Sequence, residues 1–399
     1  MKKIKLDKPR SGSQLVLDTL KSLGVDTIFG YPGGAVLPLY DALYDYDGIQ
    51  HILARHEQGA THEAEGYAKS SGKLGVALVT SGPGATNAVT GIADANADSV
   101  PMLVFTGQVA TKGIGKDAFQ EADIIGITMP ITKYNYQIRE TEDIPRIITE
   151  AVHIATTGRP GPVVIDLPKD ISAKEVTVIN DTRLVLPSYQ PTVEPNAMQL
   201  KKIVGVLGKK KRPLILVGGG VNYANAQAEF VAFSEKHQIP VVSSLLGLGA
   251  MPVDNPLFLG MGGMHGSYAA NMALAETDYL INIGSRFDDR LASKPDLFLK
   301  NATVAHIDID PAEIGKIVKT DLPVVGDAKR ALEILLDVTP PETNYGKWLA
   351  EVQDNAKRAP YSFEAEAGVN KPQEVIKLIG EITDGEAIIV TDVGQHQMW

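Results

Sequence analysis

Cysteine is absent from the 399 residues. That excludes disulfides, thiolate nucleophiles and cysteine-ligated zinc. No apolar run reaches the roughly 20 residues that a membrane-spanning helix needs. The charged opening Met1-Lys2-Lys3-Ile4-Lys5-Leu6-Asp7-Lys8-Pro9 lacks the apolar core of a signal peptide, so a cytoplasmic protein is the expectation. Positive charge is in deficit: 38 Lys and Arg against 48 Asp and Glu leave a net charge of -10. This argues against general binding of nucleic acid or of an anionic membrane surface, although local basic pockets for phosphate remain compatible with it. Metal-cage spacing is missing too. His51, His56 and His62 fall on different elements and read as structural, and no Ser-His-Asp relation is legible.

What the chain does have is 44% apolar and 22% charged residues, the balance of an ordinary globular protein. Its length suits two or three domains, each with its own core. Many of the 38 glycines follow short apolar runs. Strand-length runs at Val25–Phe29, Ile49–Ala54, Gly75–Thr80, Pro101–Thr106 and Pro162–Leu167 alternate with helical patterns such as Leu15–Leu23. Continuous apolar strands separated by helices predict an α/β fold of successive three-layer domains, each a parallel sheet covered on both faces. The expected boundaries are a first domain over 1–175, a proline-rich linker over 176–196 and a second domain over 197–340. A polar linker over 341–370 follows. A third unit over 371–399 has a helix at Gln373–Ile382 and a strand at Ala387–Thr391, and reads as the start of a truncated domain.

Within this frame Glu57 stands out. The strand Ile49–Ala54 runs into Arg55-His56-Glu57-Gln58-Gly59, and a helical pattern follows. A carboxylate at such a junction points at a ligand from the end of a parallel sheet. Taken alone it reads first as a first-turn charge stabilised by the helix dipole. Three glycine turns, at Tyr31–Gly34, Ser81–Gly84 and Gly218–Gly220, open helices after strands, where backbone N–H groups favour phosphate. None is a full G-x-G-x-x-G or a Walker loop, and each alone reads first as a tight turn. Arg286-Phe287-Asp288-Asp289-Arg290 is either a self-satisfied salt-bridge cluster or a site for phosphate or carboxylate. Asp308, ending the strand Thr303–Asp308, is placed for a ribose hydroxyl, while Asp310 before Pro311 suits a helix cap. Gly218–Gly220 with Asp308 would also fit a dinucleotide-dependent oxidoreductase, a reading that leaves Glu57 and Ala118-Phe119-Gln120 unexplained.

Taken together, Tyr31–Ala35, Arg55–Ala60, Thr80–Asn87, Phe105–Gln108, Asp117–Asp123, Gly158–Pro162, Asp166–Asp170, Arg286–Arg290 and Gly394–Trp399 closely resemble the large catalytic subunits of acetohydroxyacid (acetolactate) synthases, thiamine-diphosphate enzymes. The resemblance runs along essentially the whole chain. It implies a pyrimidine-binding domain, a Rossmann-like central domain and the beginning of a pyrophosphate-binding domain. The G-D-G element that holds Mg²⁺ and the diphosphate has no counterpart here, so the Mg²⁺ site is expected outside this chain, no metal ligand is assigned, and the fragment by itself is expected to be inactive. The implied reaction decarboxylates pyruvate and joins it to a second 2-keto acid, giving 2-acetolactate or 2-aceto-2-hydroxybutyrate in branched-chain amino-acid biosynthesis.

The resemblance also implies roles residue by residue. Glu57 would bond the aminopyrimidine ring, with Gln120 and Gly34 facing the reacting carbon. Tyr31, Thr80, Pro83 and Asn87 would surround the pyrimidine, and Val393, Gly394, Gln395 and His396 would touch the diphosphate. Phe119 would shape the acceptor pocket and Arg290 would hold the acceptor carboxylate. Val100, Pro101, Lys169 and Met264 would line the access channel that the family's herbicides occupy. FAD would contact Arg159, Gly218, Gly219, Gly220, Met264, His265, Gly266, Gly284, Arg286, Asp288, Asp308, Ile309, Gly326 and Asp327. The Arg286–Arg290 motif implies the FAD-containing biosynthetic type, since FAD-free catabolic relatives lack it. A homodimer or homotetramer, with a small regulatory subunit as a further partner, completes what the family implies.

Overall fold

The computed structural model describes residues 2–339, 341–391, 393, 394 and 396. The chain forms two compact units, residues 1–191 and 192–399. The first unit holds β1 (Lys3–Ser11), β2 (Thr27–Gly30), β3 (Gln50–Leu53), β4 (Gly75–Val79), β5 (Met102–Gln108), β6 (Tyr134–Gln137), β7 (Pro162–Pro168) and β8 (Glu175–Asn180). Six of these make one parallel sheet in the order β3-β2-β4-β5-β7-β6. Alternate residues of the central strands face opposite cores, as the two-residue period of a strand requires. Leu78, Leu103 and Phe105 meet the helices Gly12–Ser22 and Ile144–Thr156, while Ala77, Val79 and Val104 meet Glu57–Ser71 and Val89–Ala97. The second pair of helices is built from small residues. A Cβ added at Gly91 would stand 2.1 Å from Thr61 Oγ1, so the helices approach too closely for any side chain there.

The sequence signals for helix ends are met. Ser11 and Gln14 form a capping box at Gly12–Ser22, and Gly24 lies just past its end at φ +85. The strand expected over 49–54 is an edge strand, with Leu53 exposed, and not a buried one. The residues from 176 also depart from expectation: β8 pairs antiparallel with β1, so irregular chain begins only after Asn180. β1 carries Lys3, Lys5, Lys8 and Arg10 and is largely exposed, and β8 buries only Val176, so the apolar alternation in each, Ile4 with Leu6 and Val176 with Val178, is too short to mark a strand.

The second unit holds β9 (Pro213–Val217), β10 (Val241–Ser243), β11 (Phe258–Met261), β12 (Tyr279–Ile283), β13 (Thr303–Asp308) and β14 (Leu322–Val325). They form a parallel sheet in the order β11-β10-β9-β12-β13-β14. Strand order reverses between β9 and β12, the switch point of a doubly wound fold. Helices Ala197–Leu207, Gln227–His237 and Ala328–Asp337 cover one face, and Tyr268–Glu276 and Gly346–Arg358 the other. The last of these lies in the stretch expected to be linker. Trp348 and Val352 are buried in the second core, and Trp348 Nε1 donates to the Pro213 carbonyl at 2.9 Å. Beyond it the helix Pro372–Ile382 forms as expected but buries nothing. Residues 387–391 form no strand: Ile388 and Val390 are exposed, and among the described residues no neighbouring strand offers a ladder of hydrogen bonds.

Candidate functional site

In the first sheet the order reverses between β2 and β4, and ligands of parallel sheets sit at the carboxyl ends beside such a reversal. The turns collected there are the expected ones. Tyr31–Gly34 follows β2, Arg55–Glu57 follows β3, Ser81–Gly84 follows β4, and the loop 109–122 follows β5.

Glu57 is the first residue of the helix Glu57–Ser71, whose cap is His56: its Nδ1 accepts from the Gln58 amide at 3.1 Å. Glu57 is therefore a first-turn charge, as the bland reading had it, and is also 91% buried by the 9% exposure that remains. Its Oε2 accepts from Asn87 Nδ2 at 3.0 Å. Its Oε1 looks toward Gly84, where an added Cβ would stand 3.1 Å away. Thr80 is buried beside them. A Cβ at Gly84 would reach Thr80 Cγ2 at 2.6 Å, and one at Gly33 would reach Thr80 Cβ at 2.4 Å. Thr80 Oγ1 accepts from the Ala35 amide at 3.4 Å. Gly34, in contrast, faces open space within 4 Å. Pro83 opens the short helix Pro83–Asn87, and Tyr31 stands exposed at the end of β2. Gln120 closes the far side. Both it and Gly82 have positive φ, and a Cβ at Gly82 would lie 2.6 Å from the Gln120 carbonyl oxygen. Phe119, at the loop's tip, is 88% exposed.

One neighbouring group feels the carboxylate. Burial first, and the charge of Glu57 second, push the Tyr40 hydroxyl well above its usual range. Tyr40 in turn contacts His51 Nε2 at 3.2 Å. His51 and His56 thus have structural roles. His62 Nδ1 lies near Glu65 Oε2 and Asp94 Oδ2, the sole grouping of metal-ligating atoms among the described residues. Lys69 already bridges Glu65 and Asp98 at 2.8 and 2.7 Å, and the group reads as a clasp of charges between two helices.

Not every expected residue is brought to this end. Val100 and Pro101 precede β5 and so lie at the opposite edge of the sheet, one strand length from Glu57. Val100 is fully buried in the core and lines no channel. The residues that follow β5 on the site side are Val109 and Ala110, and nothing in their composition distinguishes them from the earlier pair. Arg159 is also at the far edge, its Nε donating to Ser99 Oγ at 2.8 Å. Lys169 does lie at the site edge. It begins the helix Lys169–Ala173 after β7, next to Asp170, which accepts from the Thr111 amide at 2.9 Å.

In the second unit the residues expected at FAD lie just beyond the carboxyl ends of β9, β11, β12, β13 and β14. Gly218 and Gly220 face Gly284 backbone to backbone. Added Cβ atoms would stand 2.1 Å from the Gly284 oxygen and 2.7 Å from its Cα. Their amides donate to Ile283 and Gly284 carbonyls at 2.9 and 3.0 Å. Close approach, and not a positive φ, is what demands glycine at 218. Arg286 is half-buried, with its guanidinium unpaired among the described residues. Asp288 accepts from the Arg290 and Leu291 amides at 3.1 Å, and the Met264 amide donates to the Arg290 carbonyl at 2.8 Å. Met264 and His265 are exposed, and Gly266 turns back on Met261. Arg290 is exposed and only 3.6 Å from exposed Asp289, so the anticipated salt-bridge cluster reduces to one weak pair. Asp308 ends β13 beside Ile309 and accepts from the Asp310 amide at 2.9 Å. Gly326 packs on Pro195, and Asp327 caps the helix Ala328–Asp337 through the Arg330 amide at 3.1 Å. Val393 is exposed and Gly394 sits against His396, while Gln395 lies outside the described residues.

Two family models match the chain. The N-terminal TPP-binding domain of thiamine pyrophosphate enzymes matches residues 10–127, and the central domain of the same enzymes matches 200–335. Both domains are those of thiamine-pyrophosphate enzymes. The acetolactate synthase large subunit of Lactococcus lactis is 66% identical over 399 residues, covering 100% of this chain and 69% of that one. That of Corynebacterium glutamicum is 47% identical over 394 residues, covering 98% and 63%. A probable acetolactate synthase large subunit of Methanocaldococcus jannaschii is 48% identical, covering 97% and 67%. The chain belongs to the acetolactate synthase large-subunit family.

Proposed function

We propose that this chain supplies the pyrimidine-binding half of an acetolactate-forming site. The observation that carries the reading is the buried Glu57 carboxylate, held by Asn87 beside Gly84, which has no side chain to obstruct Oε1, with open space at Gly34. Such a cradle fits a flat heteroaromatic ring with one edge on the carboxylate. When bound, thiamine diphosphate supplies the nucleophilic carbon and the electron sink that a protein side chain lacks. Glu57 holds or returns a proton at a ring nitrogen of the aminopyrimidine, a task for a carboxyl group within hydrogen-bond reach. Asn87 fixes which carboxylate oxygen is left for that task. Tyr31, Thr80 and Pro83 wall the ring, and Gly34 leaves room beside the reacting carbon. Gln120 and Phe119 approach from the β5 loop, where a 2-keto acid would be held.

Arg290 is proposed for the carboxylate of the second keto acid, since its fork suits a planar anion. Lys169 is proposed to line the access route. FAD is proposed in the second unit. Its doubly wound switch point, the half-buried Arg286, unpaired among the described residues, and the strand-end Asp308 support that reading, with Gly219, Ile309 and Asp327 as further contacts. Asp308 and Asp327 also have local backbone partners, so each has one carboxylate oxygen engaged by the fold. Val393, Gly394, Gln395 and His396 are proposed at the diphosphate. Mg²⁺ belongs with that group, and no residue of this chain is assigned to it. Assembly as a homodimer or homotetramer, a regulatory subunit and a cytoplasmic location remain parts of the proposal. No helix among the described residues is long and apolar enough to cross a membrane.

The test is acetolactate formation from pyruvate by an enzyme carrying this chain. Activity should require added thiamine diphosphate, and Glu57→Gln should lower it about a hundredfold or more. Turnover of Glu57→Gln at the wild-type rate would overturn the assignment. Flavin released on denaturing the purified protein tests FAD separately.

A further inference from the structure

Two conspicuous segments, Phe105–Gln108 and Asp166–Pro168, have no part in the site as assigned. They are neighbours: Thr106 pairs with Asp166 and Gln108 with Pro168 across β5 and β7. Asp166 is fully buried. Thr106 Oγ1, Gln108 Nε2 and Gln137 Nε2 donate to its carboxylate at 3.0, 3.2 and 3.0 Å. Three donors converge on it, an arrangement that only an acceptor satisfies and that an ionised carboxylate suits. Burial pushes its pKa up to about 6, which leaves it ionised at neutral pH.

The Gln108 amide has all its capacity in use. One hydrogen goes to Asp166 and the other to the Ala122 carbonyl at 3.0 Å, while Oε1 accepts from the Val109 amide at 2.9 Å. Turning the amide over would set its oxygen against two acceptors, so Asp166 fixes its sense. Val109 and Ala122 are the first and last residues of the loop that carries Phe119 and Gln120. Inside the loop, Glu121 accepts from the amides of Gly115 and Ala118. The loop therefore has internal order, and Gln108 ties its two ends together.

We propose that Gln108, oriented by Asp166, is a positioning residue that clamps the base of loop 109–122 and so sets where Phe119 and Gln120 stand toward the second keto acid. The clamp rests on geometry alone; its consequence for the acceptor rests on the acetolactate-forming reading.

Hydrogen exchange on the wild-type chain and on Gln108→Met, which keeps volume but lacks the amide, separates the two. The amides of Gly115, Ala118 and Glu121 should exchange about tenfold faster in the variant, with those of β4 and β7 unchanged. Asp166→Asn should act in the same direction and add nothing in the Gln108→Met background. Unchanged loop exchange in Gln108→Met, with the sheet intact, would refute the clamp. Should Gln108→Met not fold, Gln108→Asn, one methylene too short to span both ends, carries the same expectation and the same refutation. In an active enzyme carrying the chain, Gln108→Met should raise KM for the second keto acid about tenfold. It should also shift the ratio of 2-aceto-2-hydroxybutyrate to 2-acetolactate, with a smaller change in kcat. A loosened loop with unchanged KM and product ratio would overturn the role in acceptor placement. If the wild type makes no acetolactate, the proposed function fails while the exchange data still decide the clamp.

Discussion

The side-chain amide of Asn87 donates to Glu57 Oε2 across 3.0 Å, joining the last residue of one short helix to the first residue of a long one. This bond couples the turn after β4 to the turn after β3. It leaves Glu57 Oε1 directed at a glycine, the one residue that does not obstruct it. A hydrogen bond to a charged group is worth about 1.5–3 kcal/mol. Asn87→Ala should therefore lower acetolactate formation by roughly tenfold to a hundredfold, with little loss of thermal stability at this half-buried position. Asn87→Asp should do more damage, because it replaces the donor by a like charge beside Glu57. Steady-state rates with saturating thiamine diphosphate check both. An Asn87→Ala enzyme with unimpaired rates would show that the bond has no part in catalysis.

Gly33 and Gly34 are adjacent, yet their surroundings set different expectations. A Cβ at Gly33 would collide with the buried Thr80 side chain at 2.4 to 2.6 Å, whereas one at Gly34 would meet nothing of the protein. Gly33→Ala should cost about 1–3 kcal/mol of stability through overpacking and weaken cofactor binding with it. Gly34→Ala should leave the unfolding midpoint within about 0.5 kcal/mol of wild type and still impair turnover, because the methyl group enters space assigned to substrate. Denaturant unfolding measured beside acetolactate assays distinguishes them. Equal stability losses in the two variants would contradict this account of the turn.

Much of this site was legible without coordinates, for a physical reason. A parallel strand that ends in a helix cap aims its junction residue at the sheet's carboxyl edge, so the place of Glu57 follows from local pattern, while Tyr31 and Thr80 are singled out only by the family resemblance. The Asn87 bond spans 30 residues of sequence and needs the reversal of strand order between β2 and β4 to form. Val100 and Pro101 were misplaced because a Val followed by a small or cyclic residue occurs on both sides of β5, and only the strand between them decides which pair faces the ligand. β1 and β8 have only two alternating apolar residues each, Ile4 with Leu6 and Val176 with Val178, too few to distinguish a strand from charged or polar irregular chain. The expected strand at 387–391 has the apolar run but no partner strand among the described residues, and pattern alone cannot supply one. The Asp166 network was hidden for the converse reason: its donors come from β5 and β6, the two strands that flank β7, and no local signal links Gln137 to Thr106.

Gly218 offers a test of whether the second unit's glycine turn is required by the fold itself. Its backbone is extended, at φ -114 and ψ -179, a conformation open to any residue. A methyl group there would nonetheless stand 2.1 Å from the Gly284 oxygen and 2.4 Å from Ser285 Cα. Backbone atoms cannot rotate aside as a side chain does, so β9 and β12 would have to part at the switch point. Gly218→Ala should lower stability by about 1–3 kcal/mol or more, whether or not FAD is present. Gly284→Ala should be worse, since its φ of +63 adds conformational strain to the contact with Gly220. If saturating flavin fully restored Gly218→Ala to wild-type stability, the glycine would serve the ligand more than the turn.

Two buried groups give opposite responses to acid. Burial pushes Asp166 up to about 6 from 3.8, helped by the charge of Asp123 and opposed by its three hydrogen bonds. A raised folded pKa adds stability that is complete below pH 3.8 and is lost as pH rises through about 6. Burial, and then the neighbouring Lys236, lower His237 to about 4 from 6.5, and its ring packs 4.7 Å from Phe233. That stability is complete above pH 6.5 and is lost as pH falls toward 4. Each shift corresponds to something on the order of 3 kcal/mol. Relative to wild type, His237→Phe should therefore gain stability as pH is lowered from 7 to 4.5, because the variant no longer resists protonation. Asp166→Asn should lose stability relative to wild type over the same interval, since wild type gains from protonating Asp166 and the variant does not. It should also be weaker at neutral pH, where the asparagine NH₂ faces donors from Thr106, Gln108 or Gln137. Urea titrations of the three proteins at matched pH values measure these differences directly. Parallel stability curves for wild type and both variants would show that neither group titrates in the folded protein over this range.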